Sequence, residues 1–485
     1  MKASIVKSGV RQRVSGVVAA AWAALLLSAS PAGAQSAMPA QLAGAWAQSK
    51  LPESSLSLVI QEIGGPRLVD INGTQPRNPA SVMKLVTTYA AISQLGPDYV
   101  WRTDFLTTAG RLANAQGVLA GPLYLRAGGD PLLMLQDLWR LMRDLRLRGI
   151  REISDIVIDR SLFADVTIDP SAFDGAADRP YNASPDTFMV GLGAVRLVFT
   201  PDPATRTWRS FVDPPVPGIQ VDGNIEWSDA KCVGSPGVTT ETTLVGGNVR
   251  FRVSGKVAAS CGEFDVFRLA FSQQEFAARV LRTMWLDLGG TLTGEVRSGS
   301  IPADAVAIAS HESPSLSEVI RLINKRSNNV MTRVLLLTLG AEAGQRPATV
   351  EASARVATAV LARQGLEMRG MVLDNGSGLS RVGVVSADSL TQMLTKAWQS
   401  PVMPEYISSL AILGVDGSLR SRMRDGANRS RAHLKTGGLR DVRSIAGYVW
   451  GTSGKRYIVV SIVNHDRAHD ARAFENALIA WLIAH

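Results

Sequence analysis

Three short groups of polar residues, far apart along the chain, carry side chains that could together perform acyl transfer. They are Ser81-Val-Met-Lys84, Ser327-Asn-Asn329 and Lys435-Thr-Gly-Gly438. A serine hydroxyl becomes a nucleophile when a neighbouring base accepts its proton, and a neutral lysine can be that base. Each group alone is common by chance, so the order of the three along one chain is what indicates a serine acyl-transfer enzyme.

The first group combines the nucleophile and its base. Ser81 and Lys84 are three positions apart, so on a helix their side chains lie on one face, one turn apart. The apolar pattern predicts a helix that starts at Ser81, just after Pro79, and runs to Leu95. We expect Ser81 to attack and Lys84 to accept its proton, provided burial or nearby cations lower the pKa of the lysine.

The second group interrupts a long apolar helical pattern with small polar side chains. Such residues are costly in a core unless they are hydrogen-bonded, so they indicate a turn or the wall of a cavity. We expect Ser327 to relay a proton to the leaving amine and Asn329 to donate to an amide oxygen of the bound peptide.

The third group lies in a predicted strand and supplies a cation for a carboxylate. Lys435 and Thr436 can hold the terminal carboxylate of a substrate. Gly437 and Gly438 allow a ligand to approach the strand edge closely. The backbone N–H groups of Gly438 and Ser81 can then form an oxyanion hole.

In this order, the three motifs resemble those of penicillin-binding proteins and serine β-lactamases. The long gap before Ser327 is similar to that of the low-molecular-mass class C penicillin-binding proteins. These are D-alanyl-D-alanine carboxypeptidase/endopeptidases, serine peptidases of the S13 type, typified by penicillin-binding protein 4. The residue after Lys-Thr-Gly is commonly Thr in that family, whereas Gly438 lacks a hydroxyl. Other stretches similar to the family are Asn78–Lys84, Asn324–Asn329, Asp374–Arg381 and Gly414–Arg420.

The resemblance implies a serine DD-peptidase that acts on peptidoglycan stem peptides. Such an enzyme releases terminal D-Ala and cleaves crosslinks between D-Ala and diaminopimelate through an acyl-enzyme on Ser81. β-Lactams would acylate the same serine, and no cofactor or metal is implied. The sequence leaves two alternatives open: a peptidoglycan-binding scaffold without turnover, and a β-lactamase.

These residues require a fold that brings the start, middle and end of the chain together. Strand patterns near residue 60 and after residue 432 can join one antiparallel sheet. We predict an α+β fold with a β-lactamase/transpeptidase-like catalytic domain, a sheet flanked by helices, formed by residues 35–97 and 263–485. A largely β module at 98–262 is inserted between them, and its Pro- and Gly-rich stretches are compatible with two subdomains. Helical patterns cover Leu135–Leu147, Gln273–Leu288, Leu316–Leu339, Val350–Arg363, Ala387–Trp398 and Ala471–Ile483.

The N-terminal segment has the pattern of an export signal. Basic residues between Lys2 and Arg13 precede an apolar run and the small-residue site Ala32-Gly-Ala34. We therefore expect residues 1–34 to be a signal peptide and the mature protein to act in the periplasm, with an uncleaved anchor as the alternative. In an oxidising compartment, Cys232 and Cys261 predict a disulfide, with two reduced buried thiols as the alternative.

Composition narrows the class of partner. The chain is 46% hydrophobic and 19% charged, as is typical of a packed globular enzyme. Removing the predicted signal peptide, with its four basic and no acidic residues, lowers the formal net charge from +9 to +5, and this modest positive balance suits peripheral association with an anionic cell envelope. No cluster of Lys and Arg indicates nucleic-acid binding. His465 and His469 are four apart but lack a third ligand nearby, so we expect no metal site. The oligomeric state does not follow from the sequence.

Overall fold

A computed structural model of the chain describes residues 38–108, 112–424 and 426–485. The predicted signal peptide, residues 1–34, lies outside the described residues. Within the described ranges, no helix has the length and apolar character needed to span a membrane.

The α-helices of the described residues are α1 (Ala40–Ser49), α2 (Lys84–Leu95), α3 (Leu135–Leu147), α4 (Gln273–Asp287), α5 (Leu316–Arg326), α6 (Asn329–Glu342), α7 (Val350–Arg363), α8 (Ala387–Trp398), α9 (Met403–Ser408) and α10 (Arg472–Ala484). The strands are β1 (Leu56–Glu62), β2 (Arg67–Ile71), β3 (Pro76–Arg77), β4 (Arg102–Thr108), β5 (Leu123–Arg126), β6 (Glu152–Ile153), β7 (Ile156–Asp159), β8 (Val195–Asp202), β9 (Thr207–Asp213), β10 (Ile219–Ser228), β11 (Thr239–Val245), β12 (Asn248–Ala258), β13 (Phe264–Arg268), β14 (Thr291–Leu292), β15 (Val296–Ser298), β16 (Ala305–Glu312), β17 (Val385–Ser386), β18 (Ala411–Ile412), β19 (Ala432–Leu439), β20 (Val442–Trp450) and β21 (Arg456–Asn464).

The central layer is a six-stranded antiparallel sheet in the order β18-β19-β20-β21-β1-β2. It joins the start of the chain to its end, as predicted. Alternate residues of β21 point to opposite faces, so Val460 packs with α2 and α5–α9 while Val459 packs with α1 and α10. Because both faces are covered, β21 is apolar almost throughout. The predicted α+β fold, with helices flanking an antiparallel sheet, is confirmed.

The middle part of the chain, between the segments that build the six-stranded sheet, forms a second core. A five-stranded mixed sheet, β15-β7-β5-β4-β16, packs with α3, α4 and two three-stranded sheets, β10-β12-β11 and β13-β8-β9. The buried residues of all three sheets form one continuous cluster. The expected disulfide is present and joins Cys232, after β10, to Cys261, after β12.

The division between the two cores differs from the predicted boundary at residue 262. Phe276 and Trp285 of α4 are buried in the second core, and β16 pairs with β4. The chain therefore stays in the second core beyond residue 262, because α4 buries its apolar face against the strands of that core. We propose Arg102–Glu312 as the bounds of this middle module.

Candidate active site

Ser81 and Lys84 are brought together at the entrance to α2. A 3₁₀ turn, Ala80–Met83, leads directly into this helix, so the predicted helix start is confirmed to within one turn. Lys84 Nζ donates to Ser81 Oγ at 3.0 Å. The lysine is fully buried, whereas Ser81 is half-buried. The serine therefore remains partly accessible to solvent, whereas the amine beside it is not.

Contacts with β19 and β20 hold the turn that carries Ser81. Ala80 has a φ of 45°, in the left-handed region that alanine rarely adopts. Ser444 Oγ donates to the Pro79 carbonyl at 2.6 Å. A Cβ on Gly437 would lie 2.6 Å from that carbonyl oxygen and 3.1 Å from the Ser81 nitrogen, so β19 packs directly against the turn. Gly437 is thus required by this close approach.

Lys84 Nζ is surrounded by hydrogen-bond acceptors and by other cations. It donates to Asn329 Oδ1 at 2.6 Å and to the Ser377 carbonyl at 2.5 Å. Burial lowers the pKa of Lys84 well below its ordinary 10.5, and the charges of Lys435 and Arg333 lower it further. These are the conditions that a neutral, proton-accepting lysine requires.

The second motif is the corner between α5 and α6. Ser327 closes α5 in the left-handed conformation, with a φ of 58°. Asn328 caps α6, because its Oδ1 accepts from the Met331 N–H at 3.0 Å. Asn329 is the first residue of α6 and reaches Lys84. The polar interruption in the sequence is therefore a helix–helix corner whose side chains contact Lys84 and Lys435.

The third motif completes the arrangement from β19. Lys435 Nζ donates to Ser327 Oγ at 2.9 Å and to the Thr436 carbonyl at 2.8 Å. Burial lowers the pKa of Lys435 to about 7. Thr436 Oγ1 lies 2.7 Å from Ser418 Oγ. The predicted residues of all three motifs therefore line one site.

The edge of β19 beside this site is open for a ligand. On that side β18 pairs only with His433 and Leu434, and within the described ranges no strand continues beside Lys435–Leu439. Gly438 is exposed, and a Cβ there would approach nothing closer than the Val442 carbonyl oxygen at 3.9 Å. Unlike Gly437, Gly438 is not required by packing.

Three contributors to the site were not predicted. The Ser377 carbonyl belongs to the Asp374–Arg381 loop, where Asn375 Oδ1 accepts from the Ser377 N–H at 3.0 Å. Arg333 follows Asn329 by one turn of α6. The Tyr181 carbonyl, from the middle module, lies 3.5 Å from Asn329 Nδ2. The positions of backbone carbonyls cannot be predicted from residue types, because every residue has one. An arginine within an apolar helical pattern, by contrast, is unusual and could have identified Arg333 as a candidate site residue.

Fold and site together define a class. β-Lactamase/transpeptidase-like serine enzymes have this combination of features. It consists of an antiparallel sheet with flanking helices, a Ser-x-x-Lys turn at the start of a helix, and a Lys-Thr-Gly strand whose edge is open. Within the described ranges, no group of three or more His, Cys, Asp or Glu side chains has metal-binding geometry. The chain belongs to the D-Ala-D-Ala carboxypeptidase 3 (S13) family, whose model matches residues 38–485.

Similar proteins agree with this assignment. The D-alanyl-D-alanine carboxypeptidase of Actinomadura sp. (strain R39) is 28% identical over 85% of this chain and 78% of its own length. The D-alanyl-D-alanine carboxypeptidase DacB of Haemophilus influenzae is 26% identical over 86% of each chain. The crystal structure of penicillin binding protein 4 (dacB) from Haemophilus influenzae has a TM-score of 0.74, at 23% identity over 92% of this chain and 100% of that one. A second structure of that protein, in complex with a β-lactam, has a TM-score of 0.71.

The predicted enzyme class is therefore confirmed. The chain is a serine-type D-Ala-D-Ala carboxypeptidase of the penicillin-binding protein 4 type.

Proposed function

We propose that this enzyme hydrolyses the terminal D-Ala-D-Ala bond of peptidoglycan stem peptides through an acyl-enzyme on Ser81. The observation that carries the proposal is the 3.0 Å contact between Ser81 Oγ and a fully buried Lys84 Nζ. A buried amine beside two further cations favours its neutral form, and a neutral amine at this distance can accept the serine proton.

Acylation then follows from the positions of the side chains. Ser81 Oγ attacks the carbonyl carbon of the penultimate D-Ala while its proton passes to Lys84 Nζ. The N–H groups of Ser81 and Gly438 donate to the developing oxyanion. Ser327, whose Oγ accepts from Lys435 Nζ at 2.9 Å, relays to the departing amine the proton that Lys84 has taken up, and D-Ala leaves. Water hydrolyses the ester and returns Ser81 to its free form.

The remaining residues of the site hold the peptide. Lys435 and Thr436 bind the terminal carboxylate, and Asn329 Nδ2 donates to an amide oxygen of the acyl part. Occupation by a carboxylate favours the charged form of Lys435, because an opposite charge raises the pKa of an amine that burial has lowered to about 7. The open edge of β19 accommodates an extended peptide alongside this site.

The same site opens crosslinks between D-Ala and diaminopimelate. In that bond the leaving amine carries a carboxylate on its α carbon, as terminal D-Ala does, so Lys435 and Thr436 can bind either leaving group. A larger leaving group needs space beyond the carboxylate, and the open surroundings of Gly438 support this activity. Penicillin acylates Ser81, as the β-lactam complex of the Haemophilus influenzae relative supports. The enzyme acts in the periplasm, associated peripherally with the envelope.

Gel labelling with a fluorescent penicillin, combined with product analysis, tests the proposal. The wild-type protein should be labelled, should release D-Ala from a pentapeptide and should convert crosslinked muropeptides to monomers. Ser81→Ala should lose all three activities without losing its fold. A folded wild-type protein that is neither labelled nor active would indicate the scaffold alternative. Label lost within minutes, with many penicillin molecules hydrolysed, would indicate a β-lactamase.

A further inference from the structure

Arg333 is a buried cation next to the proposed catalytic base, and it has no carboxylate in direct contact. Only 7% of the residue is exposed. Arg333 NH1 donates to the Ala183 carbonyl at 2.9 Å and to the Tyr181 carbonyl at 3.3 Å. No ion pair among the described residues includes Arg333, although Asp374 is near enough to act on its charge. A buried arginine that bonds to neutral carbonyls, with a carboxylate acting on it only from a distance, carries a charge that is costly to bury.

The contacts of Arg333 lead to Lys84 through one shared carbonyl. The Tyr181 oxygen that accepts from Arg333 also lies 3.5 Å from Asn329 Nδ2. With its Nδ2 directed to the middle module, Asn329 presents Oδ1 to Lys84 Nζ at 2.6 Å. The docked middle-module segment therefore fixes which end of the amide faces the base.

The charged groups that face Lys84 come from two elements. Lys435 approaches from β19 and Arg333 from α6, and both lower the pKa of Lys84. Ser81 is the neighbour on its own turn, and Asp374, on the adjoining loop, acts on Arg333. On the middle-module side, the Tyr181 hydroxyl donates outward to Asp174 at 2.8 Å. The charged groups that act on Lys84 are therefore both cations.

The two cations differ once a peptide binds. In the proposed mechanism the substrate carboxylate lies on Lys435 and compensates its charge, so Lys435 then disfavours protonation of Lys84 less strongly. Arg333 bonds to the Tyr181 and Ala183 carbonyls and not to Lys435 or Thr436, the residues proposed to hold the carboxylate. Its charge therefore persists in the loaded enzyme, when Lys84 has to be neutral.

We propose that Arg333 is a positioning residue for acylation, which docks Tyr181–Ala183 of the middle module on α6 and keeps a positive charge beside Lys84. This inference rests on the proposed role of Lys84 as the base. It assigns to one arginine both the orientation of Asn329 and the charge state of Lys84.

The pH dependence of penicillin acylation tests this role. Acylation needs neutral Lys84, so its rate falls below the pKa of that lysine. Removing the charge in Arg333→Gln or Arg333→Met should raise this pKa and move the acid midpoint upward by about one pH unit. Below the midpoint, such a shift slows acylation roughly tenfold. Arg333→Lys keeps the charge, so its midpoint should stay at the wild-type value.

Several outcomes would overturn the inference. A neutral variant that is slower by the same factor at every pH would show a merely structural role. A midpoint that moves in Arg333→Lys as far as in Arg333→Gln would contradict a role for charge, and this variant decides the matter if neither neutral variant folds. Arg326→Gln, which removes an exposed cation at the end of α5, is the matched control and should leave the midpoint unchanged.

Ser81→Ala and Lys84→Ala, measured in parallel, separate this inference from the function on which it rests. If Ser81→Ala still acylates, the proposed function fails. If both variants lose acylation while Arg333→Gln keeps the wild-type midpoint, only the role of Arg333 fails.

Discussion

Lys84 and Lys435 are both fully buried and both have lowered pKa values, yet the mechanism requires different protonation states of the two amines. Lys84 has to be neutral to accept the proton of Ser81. Lys435 has to be charged to attract a carboxylate. Two neighbouring cations, Lys435 and Arg333, add to the effect of burial on the pKa of Lys84, whereas burial alone lowers the pKa of Lys435. The two amines can therefore hold different charges at one pH.

This difference predicts a bell-shaped dependence of kcat/KM on pH for a D-Ala-D-Ala peptide, since kcat/KM reports the free enzyme. Activity falls on the acid side as Lys84 becomes protonated. It falls on the basic side as Lys435 loses its proton, near pH 7. Steady-state rates across the pH range measure both limbs. Lys435→Arg, which stays charged, should lose the basic limb; a basic limb that persists in this variant would contradict the assignment.

The two glycines after Thr436 differ in what they tolerate. A Cβ in Gly437→Ala would lie 2.3 Å from Ser444 Oγ and 2.6 Å from the Pro79 carbonyl oxygen, so the turn that carries Ser81 has to move. Overpacking of this kind costs about 1–3 kcal/mol, and we expect acylation by penicillin to slow roughly tenfold or more. Gly438→Ala meets open space and should acylate at nearly the wild-type rate. Equal effects in the two variants would show that β19 does not hold the turn.

At the scale of elements, an ion pair connects the second motif to the third. Lys325, near the end of α5, donates to Asp416 Oδ2 at 2.6 Å, and Asp416 Oδ1 accepts from the Ile412 N–H at 2.8 Å. Burial would raise the pKa of Asp416, but the Ile412 N–H and Lys325 outweigh it and lower the pKa. The loop that these contacts hold carries Ser418, whose hydroxyl meets that of Thr436 at 2.7 Å.

Asp416→Asn should therefore weaken the contacts that hold the Ser418 loop against Thr436, the residue proposed to bind the carboxylate, and should leave Ser81 in place. We expect KM for a D-Ala-D-Ala peptide to rise several-fold with little change in kcat, a modest effect because the Asp416 side chain is 31% exposed. Steady-state kinetics measure both constants. Glu367→Gln, which breaks an exposed pair with Arg369, is the matched control. A fall in kcat with unchanged KM would contradict this role for the loop.

The elements next to the motifs were the most predictable. The period of the apolar residues predicted α2, and the strands β19–β21 were recognised from their alternating or continuous apolar runs. The polar residues at Ser327–Asn329 indicated a turn or a cavity wall, but the single helical pattern over Leu316–Leu339 is two helices, α5 and α6, because the chain turns a corner there. The partner of α4 was not predicted. Periodicity identifies the face that a helix buries, but not the sheet against which it is buried.

The unpredicted parts of the site have a common physical reason. Arg333 acts through its position one turn after Asn329, beside a loop from a distant part of the chain. The carbonyls of Tyr181 and Ser377 act through the backbone, and any residue type supplies a carbonyl. Motifs thus identified the side chains that the structure brings together and to which the proposed mechanism assigns chemistry, whereas the groups that contact and orient them required the fold.

At the scale of the whole molecule, the two ends of the chain build the sheet and the middle module supplies part of the site wall. The Tyr181 and Ala183 carbonyls bring the module against α6, beside Lys84. Its Cys232–Cys261 disulfide closes a loop with a sequence separation of 29 among exposed strands. The covalent link and the catalytic contact are therefore separate features of one module.

Removing the disulfide should lower stability and leave chemistry intact. By the loop-closure argument, a Cys232→Ala, Cys261→Ala double variant should lose about 3 kcal/mol of unfolding free energy, most plainly in the middle module. Penicillin acylation of the folded protein at 25 °C should match that of the wild type. Thermal unfolding and labelling measure the two effects. A loss of labelling in a fully folded variant would show that the disulfide acts on the site.

The most direct test of the central claim is to locate the penicilloyl group by mass spectrometry. Trypsin cleavage after Arg77 and Lys84 releases Asn78–Lys84, in which Ser81 is the sole hydroxyl side chain. The account predicts one penicilloyl adduct per protein molecule, on this peptide, and none in Ser81→Ala. An adduct on another peptide, or undiminished acylation of Ser81→Ala, would contradict it.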